Sequence, residues 1–139
     1  MYEQLRKINI LYVEDDDFIR EQTSSLLKTI FNNVYTANNG QEGIEKYKSY
    51  TNDLDAIITD INMPKISGID MAKQINASDS NNKTPIIAVS AYSCEDYGME
   101  EIKDNFSHYL RKPIQIKELI NSIEKAIKNE EGEYCKEDK

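Results

Sequence analysis

Short apolar runs alternate along the chain with longer stretches in which apolar residues recur at helical spacing. The runs fall at residues 8–13, 34–37, 56–59, 86–89 and 108–110. Several are almost continuously apolar, which is typical of parallel strands that are buried on both faces. The pattern therefore predicts five short strands.

The stretches that follow these runs predict five helices. Apolar positions three or four residues apart lie on one face of a helix. The predicted faces carry Ile19, Thr23, Leu26, Leu27 and Ile30; Ile44 and Tyr47; Ile69, Ala72 and Ile75; Met99, Ile102 and Phe106; and Ile116, Leu119, Ile120, Ile123 and Ile127. A strand and a helix repeated five times predict an α/β fold, a (βα)5 doubly wound five-stranded parallel sheet with helices on both faces.

The composition of the chain argues against several classes of protein. The 139 residues are enough for one domain, and 25 acidic against 17 basic residues give a net charge of −8. This balance argues against direct nucleic-acid binding and against docking on anionic membranes, since both need basic clusters. No apolar run is long enough to span a membrane, and the first residues do not read as a secretory signal. We therefore expect a cytoplasmic protein.

The two cysteines support the same compartment. Cys94 and Cys135 match neither a disulfide framework nor a metal-binding motif. We expect two free thiols in a reducing cytoplasm.

Candidate chemistry lies just after the strands, where open parallel sheets bind ligands. Glu14, Asp15, Asp16 and Asp17 follow the first run, and Asp60 follows the third. Carboxylates about 4 Å apart repel by roughly 4 kcal/mol at an effective dielectric of 20. Such a cluster must protonate, stay solvated or hold a cation, and Mg²⁺ suits oxygen ligands. The alternative is that residues 14–17 only start a helix, as acidic residues favour its first turn.

Two further groups follow the fourth and fifth runs. Ser90 offers a hydroxyl and Lys112 an ammonium that suits a phosphoryl oxygen. Taken alone, the serine is most often a turn residue and the lysine a solvated charge. Together with the acids they describe a metal, an anionic nucleophile and two groups that stabilise a transferred phosphoryl group.

These residues lie within motifs that resemble the receiver domain of two-component response regulators, similar to single-domain chemotaxis-type regulators. The motifs are Leu11-Tyr12-Val13-Glu14-Asp15-Asp16, Asp60-Ile61-Asn62-Met63-Pro64 with Ser67-Gly68, Val89-Ser90-Ala91, and Tyr109-Leu110-Arg111-Lys112-Pro113 followed by Glu118-Leu119. The resemblance spans roughly residues 6–128 and implies a flavodoxin-like fold. We therefore expect a receiver domain over residues 1–128 and an acidic tail or linker start over 129–139.

The resemblance implies roles at the acidic cluster. Asp60 would be the phosphoacceptor. Asp15, Asp60 and the backbone carbonyl of Asn62 would ligate Mg²⁺, and Glu14 would act through a metal-bound water. Lys112 would contact the phosphoryl group.

The resemblance also implies a conformational switch. The Ser90 hydroxyl would move toward the phosphoryl oxygen, and the Tyr109 ring would follow inward. The Lys112–Pro113 peptide bond would be cis. From the bulk of Tyr92, two residues past Ser90, we further hypothesise that its ring hinders the hydrolytic water and lengthens the phosphorylated lifetime.

The implied partners are a cognate sensor histidine kinase or a phosphotransfer protein, and a downstream protein target or output domain. The readout face would be the fourth helix, fifth strand and fifth helix, and a phosphorylation-dependent dimer is possible. No enzyme activity is expected beyond self-phosphorylation and self-dephosphorylation.

Two alternatives remain. One is an Mg²⁺-dependent phosphohydrolase of the haloacid dehalogenase type, which needs a second acid where this chain has Asn62. The other is a degenerate receiver that acts only as a protein-binding module, against which the intact Glu14, Asp15, Asp60, Ser90 and Lys112 argue.

Overall fold

One parallel sheet forms the centre of the fold. The computed structural model describes residues 3–78, 84–130, 132 and 134. Its strands are β1 (Asn9–Val13), β2 (Asn33–Ala37), β3 (Ala56–Asp60), β4 (Ile86–Ser90) and β5 (His108–Arg111), in the order β2-β1-β3-β4-β5. Each predicted strand is confirmed to within one residue at either end. The predicted α/β class and its flavodoxin-like doubly wound sheet are also confirmed.

Helices follow the strands. They are α1 (Asp17–Lys28), α2 (Gly40–Tyr50), α3 (Gly68–Ser78), α4 (Met99–Asn105) and α5 (Ile116–Ile127), with short 3-10 helices at Leu5–Lys7 and Cys94–Asp96. The Asp16 side chain accepts a hydrogen bond from the backbone N–H of Ile19, and Asn39 accepts one from Glu42. These caps satisfy N–H groups that the helices leave unpaired and fix where α1 and α2 begin.

The core has two layers because alternate residues of a strand point to opposite faces of the sheet. Leu11 and Val13 of β1 face α2, α3 and α4, whereas Ile10 and Tyr12 face α1 and α5. Strands β3 and β4 are buried along their whole length. The sheet is therefore a rigid platform covered on both faces, with its strand ends left to carry chemistry.

The predicted apolar face of α1 is wrong in part. Leu27 is fully buried, but Ile19 is 40% exposed and Leu26 is 48% exposed. Successive helical residues lie about 100° apart, so one packed stripe does not cover both Leu26 and Leu27. The stripe of α1 that packs against the sheet carries Ser24 and Leu27, and the other apolar side chains of this helix lie at the surface.

The predicted free thiol is wrong for Cys94. This residue is fully buried and disulfide-bonded. Disulfide formation depends on the distance and direction between two Cβ atoms, which sequence spacing does not reveal. Cys135 lies outside the described residues.

The segment after α5 is described only in part. Of residues 129–139, the structure describes Asn129, Glu130, Gly132 and Tyr134. The Tyr134 hydroxyl donates a hydrogen bond of 2.7 Å to the carbonyl of Phe106, and its ring packs against the core layer of α2, α3 and α4. At Tyr134 the chain is therefore packed against the core, and the domain boundary at residue 128 stays a prediction.

None of the helices in the described ranges is both long and apolar enough to cross a membrane.

Candidate functional site

Three carboxylates meet at the carboxyl end of the sheet. Strands β1 and β3 are neighbours, and Val13 pairs with Thr59. The next residue along each strand is an acid, so the register alone brings Glu14 and Asp60 side by side. One oxygen from each of Glu14, Asp15 and Asp60 lies within 4.8 Å of the others. The predicted cluster is therefore assembled by the sheet.

The acidic run after β1 divides between two tasks. Asp16 caps α1, and the Asp17 carboxylate forms an ion pair of 2.6 Å with Arg20 on the same helix. Glu14 and Asp15 instead lie beside Asp60. Helix initiation therefore accounts for the second half of the run, and the first half remains available for a cation.

Burial makes the cluster electrostatically costly. Glu14 is 3% exposed and Asp60 is 9% exposed. Burial raises the pKa of Glu14, and the nearby Asp60 charge adds to the rise, while the hydrogen bond from the backbone N–H of Asp16 opposes it. The three groups offer only hard oxygen ligands of high charge, which fits Mg²⁺.

Lys112 lies directly over two of these acids. Its Nζ is 3.1 Å from Asp60 Oδ2 and 3.5 Å from Glu14 Oε1. Burial alone lowers the pKa of Lys112, but the two carboxylates raise it by more, so the net shift is upward. The amine is held charged beside the Asp60 carboxylate.

The backbone around Lys112 fixes this placement. The Lys112 N–H donates a hydrogen bond of 2.9 Å to the Ser90 carbonyl at the end of β4. The Lys112–Pro113 peptide bond is cis, as the resemblance implied. The hydrogen bond to Ser90 holds the Lys112 backbone against β4, while the Lys112 side chain extends to Asp60 at the end of β3.

The Ser90 hydroxyl is bonded to a residue that the sequence did not single out. Ser90 Oγ lies 2.8 Å from the hydroxyl of Tyr97 and accepts a hydrogen bond of 3.1 Å from the backbone N–H of Tyr92. The Asn62 side-chain amide donates a second hydrogen bond of 2.8 Å to the Tyr97 hydroxyl. Tyr97 therefore connects the loop after β3 with the end of β4.

Tyr109 points into the protein. It is 2% exposed, and its hydroxyl donates a short hydrogen bond to the backbone carbonyl of Tyr92. Burial raises the pKa of Tyr109 to about 12. The Tyr92 peptide groups thus contact both members of the predicted pair, since its N–H bonds Ser90 and its carbonyl bonds Tyr109.

Gly68 holds the loop after β3 against the site. Its N–H donates a hydrogen bond of 2.7 Å to the Ile61 carbonyl. A Cβ atom at this position would lie 2.2 Å from the Asp60 carbonyl oxygen and 2.9 Å from the Ile61 Cα. Only glycine allows this close approach of two backbone segments beside Asp60.

Sequence reasoning missed Tyr97. None of the predicted motifs or helix faces contains Tyr97, although its hydroxyl bonds two residues of the site. A tyrosine in an irregular loop follows no periodic pattern. The available signal was its position seven residues after Ser90, and that spacing has no meaning until the loop is folded.

An opening beside the carboxylates gives access to the site. It is lined by Asp60, Asn62, Tyr92, Tyr97 and Lys112 among others. The Tyr92 and Tyr97 rings meet edge to face at its rim, with centroids 6.4 Å apart. A small anion that enters here reaches the Asp60 carboxylate and the Lys112 amine together.

Comparison with known proteins gives one consistent family. Residues 10–124 match the family described as "Response regulator receiver domain". The chain is similar to the cell cycle transcriptional regulator CtrA of Caulobacter vibrioides, with 31% identity over 90% of this chain and 52% of that protein. The chain thus spans about half the length of the curated relatives it matches.

Solved structures agree with this family. A response regulator receiver domain protein from Clostridium thermocellum is 30% identical over 88% of this chain and 95% of that one, with a TM-score of 0.79. A chain of the CheX-CheY-BeF3-Mg complex from Borrelia burgdorferi is 26% identical over 91% of this chain and 93% of that one, with a TM-score of 0.76.

Proposed function

Since the chain belongs to the response regulator receiver domain family, we propose that Asp60 accepts a phosphoryl group from a phosphohistidine. The observation that carries the proposal is the contact of Asp60 with Lys112 at 3.1 Å inside a cluster of three acids. An Asp60 oxygen attacks phosphorus, the bond from phosphorus to the imidazole nitrogen breaks, and an acyl phosphate forms. The imidazole leaves and takes up a proton from water.

The metal proposed for this site is Mg²⁺. Asp15 and Asp60 would ligate it directly, Glu14 would act through water, and the backbone carbonyl of Asn62 would complete the protein ligands. The fit rests on the all-oxygen cluster and on charge, because the single Lys112 amine does not balance the three carboxylates, of which Glu14 and Asp60 are buried. When bound, Mg²⁺ neutralises charge on the phosphoryl oxygens.

The chain's own residues do the rest by position and charge. Lys112 Nζ neutralises a phosphoryl oxygen at Asp60, because phosphoryl transfer needs positioning and charge compensation more than covalent help. The Ser90 hydroxyl donates to another phosphoryl oxygen. Its backbone contact with Tyr92, and the contact of Tyr92 with Tyr109, would carry this movement toward β5.

The readout surface proposed is the face made by α4, β5 and α5. A switch from about 1% to about 99% of the active state requires roughly 5.5 kcal/mol of differential stabilisation. A new dianion beside Lys112 and Ser90 is the source of that difference.

The partners proposed are a sensor histidine kinase or a phosphotransfer protein as donor, and a downstream protein or output domain as target. The match covers 52% of the length of CtrA, which is named a transcriptional regulator, so an output domain attached to a receiver is one form that this target can take. In the structure from Borrelia burgdorferi, CheY is in a complex with the protein CheX, BeF3 and Mg. A phosphorylation-dependent dimer is also proposed.

The compartment proposed is the cytoplasm, where the kinase domain that donates the phosphoryl group works. Free thiols would have supported a reducing compartment, but Cys94 is disulfide-bonded and gives no such support.

Phosphorylation by a small phosphodonor tests the assignment. The protein is incubated with Mg²⁺ and acetyl phosphate, and its intact mass is measured. We expect one added phosphoryl group, none after Asp60→Asn, and wild-type uptake after Asp70→Asn, which changes an exposed acid on α3. Continuous release of phosphate over many turnovers would indicate a phosphohydrolase. Failure of the wild type to take up phosphate would indicate a degenerate receiver.

A further inference from the structure

Tyr97 is held in a rigid turn between β4 and α4. Ser93 and Asp96 form a capping box around the short helix Cys94–Asp96, in which the Ser93 side chain accepts from Glu95 and the Asp96 carboxylate accepts from Ser93. The Tyr97 N–H then bonds the Cys94 carbonyl at 3.1 Å. Because Cys94 is fully buried, the turn that carries Tyr97 is anchored in the core.

The hydroxyl of Tyr97 reaches from this turn into the site. It accepts a hydrogen bond from Asn62 and lies 2.8 Å from Ser90 Oγ. Ser90 Oγ already accepts from the Tyr92 N–H. Either hydroxyl can donate across the Ser90–Tyr97 contact, and in both cases a Ser90 hydroxyl that turns toward a phosphoryl oxygen gives up its contact with Tyr97.

We propose that Tyr97 is a positioning residue of the phosphoacceptor site, which competes with the phosphoryl oxygen for the Ser90 hydroxyl. This inference rests on the proposed function of Asp60. Before phosphorylation, the Ser90–Tyr97 hydrogen bond ties the turn to the end of β4. After phosphorylation, Ser90 donates to the phosphoryl group, since a hydrogen bond to an anion is about twice as strong as one between neutral groups.

Loss of this hydrogen bond acts on α4. Helix α4 begins at Met99, two residues after Tyr97, and Gly98 between them has a φ of 94°. The Tyr97 ring keeps its edge-to-face contact with Tyr92, but its hydroxyl loses a partner at the site. The start of α4 thereby senses whether Asp60 is phosphorylated.

The test is Tyr97→Phe, which removes the hydroxyl and keeps the ring. The phosphoryl analogue beryllium trifluoride is titrated with excess Mg²⁺ into wild type and variants, and binding is followed by NMR. One net hydrogen bond corresponds to about fivefold in an equilibrium constant, so Tyr97→Phe binds the analogue about fivefold more tightly. Tyr50→Phe, on α2, is the matched control and binds as wild type.

Ser90→Ala shows whether the effect acts through the serine. In the Ser90→Ala background, Tyr97→Phe gives no further gain, because the competition has already been removed. A gain of equal size in both backgrounds, or unchanged or weaker binding by Tyr97→Phe alone, overturns the inference. A purely structural role for the hydroxyl would act in both backgrounds alike.

A measurement on the wild type needs no variant. Hydrogen exchange of the α4 amides accelerates relative to that of the α5 amides when the analogue binds, because the turn before α4 loses its hydrogen bond to Ser90. Equal protection of α4 in both states overturns the inference. Failure of the wild type to bind the analogue, or binding retained by Asp60→Asn, refutes the proposed function instead, so the two failures are distinguishable.

Discussion

Lys112→Met removes the positive charge from the acidic cluster and keeps most of the side-chain stem. Lys112 Nζ lies 3.1 Å from Asp60 and 3.5 Å from Glu14, which at an effective dielectric of 20 corresponds to about 5 kcal/mol of attraction to each acid. Desolvation of the three charges offsets much of this attraction, and removing one partner of a buried pair typically costs about 3–5 kcal/mol. The lysine side chain is 27% exposed, so solvent screening reduces the expected loss to about 2–3 kcal/mol.

Urea unfolding at neutral pH without divalent ions measures this loss. We expect the transition of Lys112→Met to move to lower urea with an unchanged slope. Lys73→Met is the matched control, because it breaks only an exposed ion pair with Glu101 and leaves the transition in place.

The stabilisation of the folded state by Mg²⁺ provides a second measurement of the same effect. A ligand at tenfold excess over its dissociation constant stabilises the folded state by about 1.4 kcal/mol. We expect a larger gain for Lys112→Met than for wild type, because the variant lacks the amine that neutralises the same carboxylates. Equal stability of variant and wild type without Mg²⁺, or a smaller Mg²⁺ gain in the variant, would refute the electrostatic account.

The pH dependence of the same comparison follows from the raised pKa of Lys112. A base with a raised pKa in the folded state contributes stability below its unfolded pKa of about 10.4 and loses it as the pH rises through the folded pKa. The stability gap between wild type and Lys112→Met therefore closes at alkaline pH above this range. A gap that persisted there would show that packing of the stem, rather than charge, explains the loss.

Three further predictions follow from the site. Gly68→Ala places a Cβ 2.2 Å from the Asp60 carbonyl oxygen, so we expect a loss of about 2–3 kcal/mol in urea unfolding and slower phosphorylation. Gly43→Ala meets a methionine sulfur instead and costs less, and equal losses would contradict this reasoning. Burial raises the pKa of Tyr109 to about 12, so the stability that depends on its protonated hydroxyl is present below its unfolded pKa of about 10 and is lost as the pH rises toward 12. The ultraviolet titration difference between wild type and Tyr109→Phe gives this pKa, and ionisation near pH 10 would contradict the burial argument. Tyr92→Ala opens the rim beside Asp60 and speeds dephosphorylation, and an unchanged rate of phosphate release would refute its shielding role.

The strands, the helices and the acids of the site could be predicted because their signals are local. An alternation of apolar runs and helical periods reflects which face of each element is buried, and neighbours along the chain determine it. The positions of Glu14, just after β1, and of Asp60, the last residue of β3, then follow from the strand ends alone. The exceptions within the helices are Ile19 and Leu26 of α1 and Ile127 at the end of α5, which fit the predicted periods and yet lie exposed.

The part that Tyr97 plays in the site was decided only by the tertiary structure. Its hydroxyl reaches Ser90 and Asn62 from an irregular turn. The disulfide state of Cys94 was likewise decided only by the tertiary structure. Apolar periodicity shows on which face of a helix or strand a residue lies. The direction of a loop side chain depends instead on how separate elements pack, and no pattern along the chain encodes it.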